Sequence, residues 1–302
     1  MRVLLLGGTG SIGSAILEEL LSHQHQVTAL ARSDKAAELL RAKGAEPLPG
    51  DLTRPAEWAG AVTEVDAVIQ AAAAFDTDMG AIDKSVLEAI AAAASGRDVP
   101  LRVLYTGGCW LFGETGNRVA DESMPFDPLP SFAWMVENWE WLRKAPGIAP
   151  ILIHPAMVYD EAGGVLHRYL DAASQGVSIE IWGSADVRWP LVHRADLASA
   201  YRLALEKGIP GESYCVAAES GVPTGALADA IKKRAGSLAP HMVLPVAEAV
   251  ARHGAWAAGP ALQQRMRSRK IKRELGWGPR HTDAVALLGS RPPMDQGSFG
   301  RQ

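Results

Sequence analysis

Val3-Leu4-Leu5-Leu6-Gly7-Gly8-Thr9-Gly10-Ser11-Ile12-Gly13 carries four aliphatic residues straight into a turn with glycines at 7, 10 and 13. Apolar residues at helical spacing follow from Ile12 to Ser22. The glycines therefore stand between a buried strand and a helix, the setting in which this spacing holds a dinucleotide. Gly7 permits the tight turn, Gly10 lets a diphosphate approach the main chain, and Gly13 lets the helix pack against the sheet. Thr9, Ser11 and Ile12 complete the loop, where the helix start supplies amide donors and a favourable dipole.

Outward from this unit the first half alternates short aliphatic runs with helical patterns, the signature of βαβ units feeding a parallel sheet. Strands are expected at Val3–Leu6, Val27–Leu30, Ala67–Ile69, Val103–Thr106 and Ile151–His154. Helices are expected at Ile12–Ser22, Asp34–Lys43, Ala81–Ser95 and Phe132–Arg143. Right-handed crossovers then give an α/β fold with a doubly wound sheet. Residues 1–155 form the nucleotide-binding domain in this reading. The Gly- and Pro-punctuated residues 156–290 form a smaller substrate lobe interleaved with late sheet elements, and 291–302 a flexible tail.

The chain has 302 residues, 48% of them hydrophobic and 21% charged, which excludes a disordered or fibrous protein. A net charge of −4 supplies no positive field for nucleic acid or an anionic membrane. Two cysteines are too few for a disulfide framework, and neither a leader nor a membrane span is legible, so a cytoplasmic protein is expected. His23 and His25 lie two apart and share no helical face, so no metal site is expected. The basic run Arg265–Arg273 reads as the solvated face of a helix. The expected partner is a small-molecule substrate, with a second copy of the chain as an option.

At the end of the second strand an Asp or Glu would accept from the ribose 2′-hydroxyl of NAD. The chain has Leu30-Ala31-Arg32-Ser33 instead. A guanidinium and a hydroxyl there suit a 2′-phosphate, so NADP is favoured over NAD, with a solvated surface arginine as the alternative.

With the glycine motif, several further segments resemble the extended short-chain dehydrogenase/reductases, the NAD(P)-dependent epimerase/dehydratase group. They are Gly50-Asp51-Leu52, Asp66-Ala67-Val68-Ile69-Gln70-Ala71-Ala72-Ala73, Pro155-Ala156-Met157-Val158-Tyr159, Val192-His193-Arg194-Ala195-Asp196-Leu197-Ala198 and Leu275-Gly276-Trp277-Gly278-Pro279. The resemblance implies a Rossmann-like sheet and adds Asp51, Leu52, Ala71, Ala72, Ala73 and Pro155 to the cofactor-binding residues. Asp51 could instead cap the helix near Arg54, and the alanines could serve close packing. His193 and Asp196 fit a loop-to-helix tie, and Trp277 fits a core anchor.

Members of that group that oxidise or reduce carbonyls use a serine, a tyrosine and a lysine four residues later for general acid–base catalysis. Here the resemblance puts Gly108 at the serine position, Phe132 at the tyrosine and Val136 at the lysine. Other proton donors are then sought in His154, Tyr159 and Cys109. Each has a plain alternative, respectively a neutral core histidine, a packed ring and a small buried hydrophobe. Nine tryptophans stand against five tyrosines and five phenylalanines. Trp110, Trp134, Trp139 and Trp141 fall in segments that by the resemblance line the active site, which implies, with a core-facing stripe as the alternative, an apolar, ring-shaped substrate. Gly108, Trp110, Phe132, Trp134, Trp182 and Trp189 are its expected contacts, and Trp139 and Trp141 belong to the same segments. Three functions fit: an NADP-dependent oxidoreductase lacking the usual relay, a non-redox isomerase, epimerase or cyclase, and a non-catalytic NADP sensor.

Overall fold

In the computed structural model, residues 1–73, 78–161 and 163–290 are described. Along the chain, β1 (Arg2–Leu6) leads through α1 (Ser11–Ser22) to β2 (Gln26–Ala31), α2 (Asp34–Ala42), β3 (Glu46–Pro49), β4 (Ala67–Gln70), α3 (Met79–Ala94), β5 (Leu101–Thr106), α4 (Ala133–Leu142) and β6 (Ile148–Pro155). There follow β7 (Met157–Tyr159), α5 (His167–Ser174), β8 (Glu180–Trp182), β9 (Arg188–His193), α6 (Arg194–Lys207), β10 (Ser213–Val216), β11 (Glu219–Pro223), α7 (Thr224–Ala235), β12 (Met242–Leu244), α8 (Val246–His253), α9 (Arg269–Leu275) and α10 (Ala284–Ser290). The tail expected from residue 291 lies outside the described residues.

The aliphatic strands are buried on both faces. Val3 and Leu5 enter a core shared with α1 and α6, whereas Leu4 and Leu6 enter the opposite core under α3 and α4. This two-residue alternation is what a parallel sheet covered by helices requires. The seven strands run in the order β10-β6-β5-β4-β1-β2-β3, and every pairing is parallel. The order turns back between β1 and β4, and at such a switch point the strand ends open a crevice for a ligand.

Two of these strands were not anticipated. β3 contains Pro47 and Pro49, which lack the N–H a central strand needs, but as the outermost strand it pairs only with β2. β10 is a four-residue strand that forms the other edge beside β6. Residues after 156 thus supply part of the large sheet, and α6 packs across α1. The rest of that region forms the three-stranded β11-β9-β7 sheet, the β12-β8 pair and their helices. His193 caps α6 by accepting from the Ala195 amide, while the Asp196 carboxylate receives the amides of Arg280 and His281. Trp277 is buried and its indole Nε1 donates to the Asp196 carbonyl. None of the helices among the described residues is long and apolar enough to cross a membrane.

Candidate functional site

A cleft of about 1160 Å³ lies at the carboxyl ends of the central strands and continues between the sheet and the smaller lobe. That exceeds the roughly 300–1,000 Å³ of an ordinary ligand pocket, so there is room for a dinucleotide and a second molecule. One end is built by the glycine loop. Gly7 has φ +90°, and a Cβ there would stand 2.7 Å from the Ala71 carbonyl oxygen. A Cβ on Gly13 would stand 2.0 Å from the Gly7 carbonyl oxygen, so only glycine lets α1 dock on the turn. Gly13 itself does not line the cleft, and its part is packing. Gly10 precedes α1, which has no side-chain cap and no acid in its first turn, so its leading amides face the cleft without a competing protein anion. This cradle fits the diphosphate of a dinucleotide.

Thr9, Ser11, Ile12, Leu52, Ala71, Ala72, Ala73 and Pro155 line the same cleft. So do Arg32, Ser33 and Lys35 at the end of β2. The Ser33 oxygen accepts the Ala36 amide as the cap of α2, which leaves its O–H to face a ligand. Asp51 also lines the cleft, and its Oδ1 accepts the Thr53 amide and hydroxyl, each at 2.8 Å. These bonds, the amide first, hold its carboxyl below the usual range, and Arg32 and Arg54 add to this.

Across the cleft, Gly108 and Phe132 face its middle, with Phe132 tilted against Trp110 at 5.1 Å between ring centres. A Cβ on Gly108 would meet nothing within 4 Å, whereas one on Gly107 would stand 2.9 Å from the His154 ring nitrogen Nδ1. Gly108→Ser is therefore expected to leave thermal stability nearly unchanged. Gly107→Ala is expected to cost about 1–3 kcal/mol of overpacking, read from urea melts of the two variants.

The three side chains sought as proton donors are placed poorly for that task. His154 and Tyr159 do not line the cleft. His154 is fully buried between Phe112 and Phe126, at 4.9 and 5.5 Å between rings, and neither of its nitrogens has a hydrogen-bond partner. Burial pushes its pKa down to about 3, with the backbone at Gly108 opposing the shift. Tyr159 is also fully buried, its hydroxyl is unpartnered, and burial raises its pKa, helped by the nearby carboxylates of Glu219 and Asp196. Cys109 does line the cleft, but burial pushes its thiol up to about 12, leaving almost no thiolate at neutral pH. The expectation that His154 and Tyr159 serve the cleft as proton donors is corrected: the strands that carry them turn both side chains into the core.

The His154 environment has a measurable consequence. Its ordinary pKa of 6.5 applies to the unfolded chain and about 3 to the folded one, so between these values only the unfolded state takes the proton. Its full contribution is present above pH 6.5 and is lost on acidification by about 1.4 kcal/mol per pH unit. His154→Leu, which removes two unpartnered nitrogens, is expected to match wild type at pH 7.5. It is expected to lose about 2–3 kcal/mol less stability than wild type by pH 4.5 in paired urea melts.

The far end of the cleft is aromatic. Trp110, Trp134, Trp182 and Trp189 line it as anticipated from the sequence, joined by Trp256 and Pro260. The Trp189 indole donates to the Pro260 carbonyl at 2.7 Å, and the Trp134 indole donates to the Ser131 carbonyl. Trp139 is buried in the core and Trp141 packs under Lys84, so neither reaches the cleft. Sequence reasoning also missed Asp83, His167 and Arg168. Asp83 is a buried carboxyl that accepts from Gln70, Tyr105 and Asn138 at 2.7–2.8 Å; burial raises its pKa while these donors oppose the rise. Among the described residues no group of His, Cys, Asp and Glu could hold a metal ion.

Residues 3–217 match the NAD dependent epimerase/dehydratase family. An uncharacterized protein of Schizosaccharomyces pombe is 30% identical over 305 residues, covering 96% of this chain and 99% of that one. A sterol-4-alpha-carboxylate 3-dehydrogenase (decarboxylating) of Dictyostelium discoideum is 26% identical over 271 residues, 81% of this chain and 80% of that protein. Among solved structures, the human epimerase family protein crystallised with NADPH shares the fold with a TM-score of 0.77 at 20% identity, covering 96% of this chain and 98% of that one.

Proposed function

Because the chain belongs to the NAD dependent epimerase/dehydratase family, we propose that it is an NADP-dependent oxidoreductase acting on an apolar, ring-bearing small molecule without a Tyr-Lys proton relay. The observation that carries this reading is an asymmetry within one cleft. The nucleotide end keeps its anion-binding elements, while Gly108 and Phe132, at the positions that resemble the relay, offer neither hydroxyl nor phenol. Supporting it further, one relative is named as a dehydrogenase of a sterol and one structural neighbour was crystallised with NADPH.

The amides at the start of α1 bind the diphosphate, and Arg32 with Ser33 meets the 2′-phosphate. When bound, NADPH supplies a hydride. The tryptophan wall and Phe132 orient an apolar ring beside Gly108 and exclude water, which strengthens every electrostatic contact inside. A general acid is typically worth about 10²–10⁴-fold in rate, so loss of the one that the resemblance would place at Phe132 suits an electrophile that needs little proton help. A protonated imine is such a group, since it already carries the proton that its amine product keeps and the protein would have none to deliver.

Absorbance at 340 nm tests this with cyclic imines and conjugated cyclic ketones: nucleotide absorbance falls in step with substrate. Substrate conversion with constant absorbance would transfer the cleft to isomerase chemistry, and tight NADPH binding with no conversion would make the protein a sensor. Phe132→Ala is expected to raise KM through lost ring contact while the pH–rate profile keeps its shape. Loss of one limb of that profile would show that the relay register is misplaced and that Phe132 positions a titrating group elsewhere.

A further inference from the structure

We propose that the substrate carries an oxyanion as well as an apolar ring, and that Arg168 is the residue that binds it. This rests on the reading of the cleft as a small-molecule site and deepens it. Arg168 is the second residue of α5, a helix anchored by buried Tyr169, Leu170 and Ala173, and it lines the aromatic end of the cleft. Its guanidinium carbon lies 3.4 Å over the centre of the Trp182 ring. Trp182 is itself only 2% exposed and is held by His253 and Trp256 at 4.8 and 5.4 Å between rings, so the platform under the cation is fixed.

Nothing among the described residues completes this cation. Among the described residues Arg168 has no hydrogen-bond acceptor and no acid within ion-pairing distance. The acid whose charge reaches it, Glu180, is engaged 3.2 Å from the guanidinium of Arg252. Burial lowers the Arg168 pKa, the mark of a cation deprived of water without receiving a counterion. Arginines that serve packing alone normally spend their N–H groups on carbonyls, as Arg97 does on Val62 and Val65 and Arg102 on Ala204 and Gly208. Arg168 instead holds its fork of donors over the Trp182 ring, in a wall formed largely by Trp182, Trp189, Trp256 and Pro260 with its neighbour His167. Such a fork binds a carboxylate, sulfonate or phosphate in two parallel bonds, and the low polarity around it strengthens them. The diphosphate cradle and Arg32 lie on the nucleotide side, so this cation is not needed for the phosphates of the cofactor.

The test uses 2-naphthoate and its neutral counterpart 2-naphthamide, titrated calorimetrically into NADPH-saturated full-length protein. Wild type is expected to bind the anion about tenfold or more tightly than the amide. Arg168→Gln is expected to abolish that preference, with amide affinity and NADPH affinity within about twofold of wild type, and Arg168→Lys to retain part of it as a point charge. Equal affinities in wild type, failure of both probes to bind, or a preference that survives in R168Q would each overturn the proposal. So would an equal weakening of NADPH in R168Q, which would assign the cation to the cofactor. A protein that shows the anion preference yet never consumes NADPH would keep this subsite and discard hydride transfer.

Discussion

Replacing Gly13 by alanine is expected to abolish dinucleotide binding, with NADPH affinity lowered at least about 100-fold, and to destabilise the fold by about 1–3 kcal/mol. The added methyl would stand 2.0 Å from the Gly7 carbonyl oxygen and 2.6 Å from its carbon. Both partners are main chain in a turn fixed by β1, so no side chain can swing aside, and α1 must move away from the sheet. That movement displaces the leading amides of α1, which act on a diphosphate only within hydrogen-bond reach. Gly60→Ala is the control: its methyl would meet nothing within 4 Å, and both properties should match wild type. NADPH titration by intrinsic fluorescence, together with thermal melts, gives the two readouts. Ordinary NADPH affinity in Gly13→Ala would mean that the loop does not hold the nucleotide.

Arg32→Ala is expected to weaken NADPH by tenfold to about a hundredfold while changing NADH by less than about threefold. The guanidinium lines the cleft beside Ser33 and is solvent-exposed, with neither a hydrogen-bond acceptor nor an ion pair among the described residues. On the proposed NADP assignment, removing it deletes a charge-assisted contact that only the phosphorylated ribose makes. Because the lost term is largely Coulombic and exposed, the wild-type preference for NADPH should also shrink as salt rises. Parallel loss of both nucleotides would show that Arg32 supports the adenosine side generally and does not select the 2′-phosphate.

The features that could be read from sequence are those in which residue type and periodicity coincide. Val3–Leu6 and Ile151–His154 announce buried strands, and the spacing of Gly7, Gly10 and Gly13 announces the turn. β3 was hidden because Pro47 and Pro49 argue against a strand, and only its place at the sheet edge makes them tolerable. β10 was hidden by its four-residue length in a glycine-rich region. At the site, Trp182 and Trp189 were legible as a wall only through the family resemblance, which places that segment in the substrate lobe. Arg168 was not, since a single arginine on an amphipathic helix reads as solvent-facing, and its stack on Trp182 is set by tertiary packing. His154 and Tyr159 failed as cleft residues for the same reason: following a strand into a loop does not fix which way a side chain turns.

The return of α6 and β10 to the large sheet ties the two halves of the molecule together twice. A fragment ending near residue 155 would leave β6 as a bare edge and strip the cover from α1, so it should aggregate and not fold as a free-standing module. The same double stitching restrains the jaws of the cleft. Clamping on a captured molecule cannot come from wholesale separation of the two halves, which would tear β10 from the sheet.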